Sequence, residues 1–216
     1  MMTELDQDSL EVLHACHPWQ WQHSFEEALP ASHALTQALG AEFLALLASR
    51  LPAWGEAWCA CLQQHPTLLA PLGLATLPTT TELVVEVLWQ DEAVMVELNA
   101  EHRQQAKPTD VLTFPLWAEE TPPKGLSQLP QLPLGSVVVC LPYAATLPVV
   151  AQAMAEGDAA RLQALVLSYA LERVTHGCLH LLGQHHATQA EFELVVAYQH
   201  HVVQRLGLPL LPVATE

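Results

Sequence analysis

Apolar positions along this chain recur with two different periods, and the periods sort it into helical and extended stretches. From Ser32 onward, Ala34, Leu35, Ala38, Leu39, Phe43, Leu46 and Leu47 return every three or four positions, which predicts a helix ending near Pro52. A second short helix is predicted over residues 54–64, after which Pro66, Pro71 and Pro78 signal a loop. Residues 80–89 are rich in β-branched side chains and uninterrupted, so they read as a buried strand. Asp91 suits the cap of a helix over 92–104, with Val94, Met95 and Leu98 on one side and Arg103 near its end. Residues 107–110 form a turn, 111–114 a short strand closed by Pro115, 119–133 a loop rich in Pro and Gln, and 134–141 another buried strand. A long helical pattern covers 158–182, and a final helix covers 188–206, opened by a Thr188/Glu191 capping box and closed by Gly207 and Pro209. At the N-terminal end a strand is expected around residues 9–16, followed by a Trp-rich connection through Trp19 and Trp21. Helices and strands interleave without strict alternation. The class is therefore α+β, a small mixed sheet of about four strands packed by helices.

The chemistry is concentrated at the end of the 158–182 helix, in His-Gly-Cys-Leu-His-Leu-Leu-Gly-Gln-His-His over residues 176–186. On a helix, His176 and His180 stand at i and i+4 and project from one face. Gly183 follows where a helix commonly ends on a residue of positive φ, so the chain can turn back and bring His185 or His186 to a third position. Three neutral imidazoles with an open coordination position hold a catalytic zinc, which makes this a zincin-like metal-site helix. The order His-x3-His-x2-Gly-x2-His has metzincin spacing, but Gly177 stands where those proteases carry their Glu base. Glycine accepts no proton, so peptide hydrolysis by that route is not expected.

Composition narrows the picture further. A length of 216 residues with 51% hydrophobic content suits a single domain over 1–216. The longest uncharged stretch, 125–155, is interrupted by Pro130, Pro133, Pro142 and Pro148, so no membrane span is expected. Glu4, Asp6 and Asp8 lie where a secretory signal would be basic, and a cytoplasmic location follows as the expectation. Five cysteines in a chain of this length read as reduced thiols. Cys59 and Cys61, set among Trp54, Trp58 and Leu62, read as small buried apolar residues. Seven basic against 23 acidic residues give a formal charge of −16, which argues against any broad phosphate-tracking surface and against DNA as a partner. Arg103 and Lys107, four residues apart, are the local exception.

Three segments in order resemble the YbeY family, bacterial single-strand-specific endoribonucleases associated with ribosomal RNA maturation. The family pattern His-Gly-x-Leu-His-Leu-x-Gly-x-Asp-His is met by His176, Gly177, Leu179, His180, Leu181, Gly183 and His186. A second pattern is met by Leu98, Asn99, Arg103, Pro108, Thr109, Val111, Leu112, Phe114 and Pro115, and a third is similar to residues 134–140. The resemblance covers about residues 80–210, a metal-dependent nuclease core, and leaves 1–79 as a divergent, enlarged N-terminal part. It implies that His176, His180 and His186 hold one zinc ion per chain and that Arg103 is the functional arginine beside it. It also implies a single-stranded RNA substrate, 16S rRNA 3′-end processing, ribosome quality control, and the ribosome or ribosomal proteins as partners. Four positions depart from the family pattern: His185 and Ser136 replace Asp, His102 replaces Tyr, and Ala106 replaces Asp. Neither Gly177 nor Arg103 can serve as general base at neutral pH. Two alternatives follow from the same residues: another zinc hydrolase of peptidase type, or a ribosome-associated zinc-binding factor with weakened catalysis.

Overall fold

A five-stranded mixed sheet organises the chain in the computed structural model, which describes residues 11–25, 28–73, 80–117 and 130–212. The strands are β1 (Glu11–Cys16), β2 (Trp19–Ser24), β3 (Glu82–Gln90), β4 (Val111–Pro115) and β5 (Gln131–Cys140), in the order β1-β2-β3-β5-β4. β2, β3 and β5 run parallel, while β1 and β4 pair antiparallel at the two edges. Among the described residues six α-helices accompany the sheet: α1 (Ala34–Leu39), α2 (Phe43–Gln64), α3 (Glu92–Arg103), α4 (Pro148–Glu156), α5 (Ala159–Leu181) and α6 (Gln189–Arg205). The α+β class with a mixed sheet packed by helices is as expected, with one strand more than foreseen.

That additional strand is β2, which takes the place of the expected Trp-rich connection. Trp19, Trp21 and His23 are buried and alternate with Gln20 and Gln22, which is the period of two of a strand with one covered face. β2 folds back on β1 through residues 17–18 and lies beside β3, so Trp21 pairs with Val85 and His23 with Val87. Strand β5 begins at Gln131, earlier than expected, with a register irregularity against β3 between Val84 and Val85. Most of the expected Pro- and Gln-rich loop, residues 118–129, lies outside the described residues.

The helical expectations also need correction at the N-terminal end. Gly40, at φ 82°, separates α1 from α2, and α2 then runs through Pro52 to Gln64 as one helix. Proline removes one backbone hydrogen bond, but Pro52 is exposed, and Leu47, Leu51, Trp54, Trp58 and Leu62 bury one stripe on both sides of it. The missing hydrogen bond does not outweigh that burial. Helix α4 was not anticipated; Pro148 at its first position needs no amide donor there.

The two faces of the sheet are covered differently. Trp19, Trp21, Val85, Val87, Trp89, Val137 and Val139 belong to the main core, shared with α2 and α5. On the other face a smaller cluster of Leu112, Val138 and Cys140 lies under Met95 of α3. Asp91 caps α3 as expected, accepting from the Val94 amide at 2.9 Å. Buried Asn99 donates to the Lys107 carbonyl at 2.8 Å and fixes the turn that leads into β4.

Helix α5 is fixed by contacts over its whole length. The Trp54 indole donates to Thr175 Oγ1 at 2.9 Å, and the Tyr169 hydroxyl to the Cys140 carbonyl at 2.9 Å. Gly177 lies directly on the Val137 side chain, and a Cβ added there would collide with it. Glycine is thus what lets α5 approach the sheet so closely. The helix ends at Leu181, and Gly183, φ 77°, turns the chain there, its amide reaching the His180 carbonyl at 2.9 Å. The chain then enters α6 through the expected capping box, in which Thr188 and Glu191 cap each other's amides.

Candidate metal centre

His176 and His180 stand one turn apart on α5, with their Nε2 atoms 2.9 Å from each other. The turn at Gly183 carries His186 back to them, its ring centroid 5.3 Å from His176 and 5.2 Å from His180. One ligand nitrogen from each of the three lies within 4.8 Å of the others, and no other such group of three or more occurs among the described residues. His185 is exposed and tilted against His180 at 5.5 Å, outside that trio. Spacing left the third histidine open between 185 and 186; the fold brings His186 inward.

The electrostatics of the trio suit a cation. Burial and neighbouring positive groups, His180 foremost among them, lower the pKa of His176 to about 3. Burial, then His186, His185 and Arg103, lower that of His180 to about 4. Both rings are neutral at physiological pH, the form that ligates metal. His186 Nε2 is buried with no hydrogen-bond partner. Two facing nitrogens and an orphaned third form a donor set that a divalent ion would satisfy.

A cavity of about 810 Å³ opens on these rings, between α5, α6, the β4 edge and residues 143–148. Arg103 lines it as well. Helix α3 covers the opposite face of the sheet and β4 is the edge strand, so the guanidinium enters from around that edge. It is exposed and makes no ion pair among the described residues.

The sequence reading missed a second charged group in the cavity wall. Arg173 Nη1 donates to Asp110 Oδ2 at 2.6 Å, joining α5 to the start of β4. Asp110 Oδ1 also accepts from the Val111 amide at 2.9 Å and the Thr109 hydroxyl at 3.2 Å. Burial alone would raise the Asp110 pKa, but the Arg173 charge and hydrogen bond outweigh it and hold the carboxyl below its ordinary range. Burial acts to lower Arg173, and Asp110 reverses that, leaving it above its ordinary value. Glu172 is the third member. Burial raises its carboxyl to about 7, with only partial compensation by Arg173, whose Nη2 is 3.7 Å away. Arg173 stands three residues before His176, a spacing that could have flagged it; Asp110 is 63 residues distant from Arg173, and nothing local marked the pair.

A family model described as Endoribonuclease YbeY matches residues 69–207, well over half of the chain. The chain belongs to the YbeY family. A curated relative named Endoribonuclease YbeY, from Synechococcus sp. (strain RCC307), is 38% identical over 114 residues, which is 53% of this chain and 62% of the relative. The match thus takes in less than two thirds of that relative's length. Strands β1 and β2 and helices α1 and α2 precede the segment that the family model matches.

The departures from the family pattern fall in different places. Ser136 donates to Glu86 at 2.7 Å and alternates with Val137, so it lies on the sheet face away from α5 and does not line the cavity. His102 packs edge-on against Phe114 at 4.8 Å. Ala106 is exposed beyond α3. His185 alone of the four lines the cavity.

Proposed function

We propose that this chain is a zinc-dependent, single-strand-specific endoribonuclease of ribosomal RNA maturation, including 16S rRNA 3′-end processing and ribosome quality control. The observation that carries the reading is the convergence of three imidazoles on the wall of a cavity that Arg103 also lines. His176, His180 and His186 would hold one zinc ion through neutral nitrogens. Bound there, zinc supplies Lewis acidity toward a phosphoryl oxygen and lowers the pKa of water. Arg103, charged at any working pH, grips the phosphate and offsets the charge that develops on it. The Asp110–Arg173 pair ties the histidine helix to the start of β4. Because the Asp110 and Arg173 charges offset each other, Arg103 is the cation left to meet the substrate.

The donor set favours catalysis over a purely structural ion, since only three ligand groups converge among the described residues and a closed structural site needs four. Peptidase chemistry of the metzincin kind is disfavoured because position 177 has no space for a Glu side chain. We place the nuclease core at 80–210 and treat 1–79 as part of the same domain, supported by the β2–β3 pairing and the packing of α2 on α5. Ribosome-bound RNA, with the ribosome or its proteins as partner, and a cytoplasmic location complete the reading. No helix among the described residues is long and apolar enough to cross a membrane.

The test is Arg103→Gln assayed on a single-stranded RNA. Zinc content equal to that of wild type with cleavage reduced at least about a hundredfold is expected for loss of a transition-state contact. Unchanged cleavage would remove Arg103 from the mechanism.

A further inference from the structure

Of the four phenylalanines, Phe25 and Phe43 lie in the main core and Phe114 packs against the smaller cluster under α3. Phe192 belongs to neither cluster; it is half-buried and lines the cavity beside the histidines. A large apolar side chain turned toward a cavity gains full burial only when something apolar fills that space.

The local structure fixes where this ring stands. Phe192 follows the Thr188/Glu191 capping box, and its amide donates to the Thr188 carbonyl at 3.0 Å. Its ring meets that of His186 at 5.5 Å between centroids and 71° between planes, its sole aromatic contact among the described residues. An edge-on contact of this kind engages at most one face of the phenyl ring. Val196 and His200 follow at i+4 and i+8 on α6 and line the cavity too, so Phe192 opens a strip of apolar and aromatic groups along that wall. The wall on the β4 side carries Arg103, Thr109 and Thr113 instead. One wall offers charge and hydroxyls, another an aromatic face. A nucleotide has the same two-sided chemistry, an anionic phosphate joined through its sugar to a flat base with apolar faces.

Resting on the nuclease reading, we propose that Phe192 stacks on the base of a nucleotide adjoining the phosphate held at the histidines. Every base has a π face, so this subsite accepts any of the four. It accepts that base only when the base is free of its neighbours. Within a duplex both faces and the pairing edge are engaged, and the base must first be drawn out of the stack. Phe192 thereby selects single strands without reading their sequence.

The experiment uses zinc-loaded wild type, Phe192→Leu and Phe192→Trp on a single-stranded RNA oligonucleotide and on twins carrying a stable abasic analogue on one side or the other of the cleaved bond. In wild type, removing the base on one side is expected to lower kcat/KM by about 5- to 150-fold, the worth of one base–aromatic stack. Phe192→Leu should lose a similar factor on the intact oligonucleotide and little more on the abasic twin, while Phe192→Trp, which keeps a π face, should retain the dependence on the base. Wild type indifferent to base removal on both sides would overturn the subsite. So would Phe192→Leu slowed equally on intact and abasic oligonucleotides, since packing on His186 alone predicts that result. Should wild type cleave none of them, binding of the same oligonucleotides decides the matter. Base-dependent binding lost in Phe192→Leu would uphold the subsite while the nuclease reading fails; binding that ignores the base, or no binding, would overturn the subsite too.

Discussion

At the scale of single residues, Gly177 shows how one position serves packing where a related spacing elsewhere serves chemistry. Any side chain there would meet Val137, because α5 approaches the sheet through the missing Cβ. Gly177→Ala is therefore expected to destabilise the protein by about 1–3 kcal/mol through overpacking, seen as a lower thermal midpoint. Val137→Ala in the same chain should recover part of the loss. Destabilisation that Val137→Ala leaves untouched would mean that the contact is not the cause.

At the scale of elements, the structure joins segments that sequence reading handles separately. What was legible was local: the histidine helix, the Asp91 cap, the Thr188/Glu191 capping box and the β3 run all follow from short-range pattern. Strand β2 alternates over only six residues, too short a run to mark a strand apart from its pairing with β1 and β3. Propensity alone predicts a helix end near Pro52, whereas burial on both sides of it carries α2 through to Gln64. The Asp110–Arg173 pair was illegible for a different reason, since only the packing of α5 against β4 brings the two together. Removing the cation strands a largely buried carboxylate. Arg173→Met should cost about 1–3 kcal/mol, discounted from a fully buried pair because both side chains keep some solvent contact. Denaturant titration checks this, and Asp110→Asn combined with Arg173→Met should cost less than the two single losses added together.

At the scale of the whole molecule, the fold holds buried imidazoles neutral in two places. His14 on β1 and His23 on β2 stack at 5.0 Å within the tryptophan-rich core, and burial lowers His14 to about 4 and His23 well below its ordinary value. His176 and His180 are lowered likewise. As pH falls through 6.5, these groups take up protons in the unfolded chain before the folded one, so stability is full above that point and declines toward pH 4. Glu172 has the opposite sign: with its pKa raised from 4.5 to about 7, ionisation favours the unfolded chain as pH rises across that interval. Four histidines outweigh one carboxyl. The metal-free protein is expected to unfold at lower denaturant concentration at pH 5 than at pH 7.5, and equal midpoints would contradict this balance of groups.

The proposed function requires that the three histidines gathered by α5 and the Gly183 turn hold a zinc ion needed for cleavage of RNA. It is tested most directly by elemental analysis of wild type and His186→Ala, purified in parallel, with cleavage of a single-stranded RNA measured on the same samples. About one zinc per chain with cleavage in wild type, and loss of both in the variant, is the predicted result. Full zinc content and cleavage in His186→Ala would contradict the account.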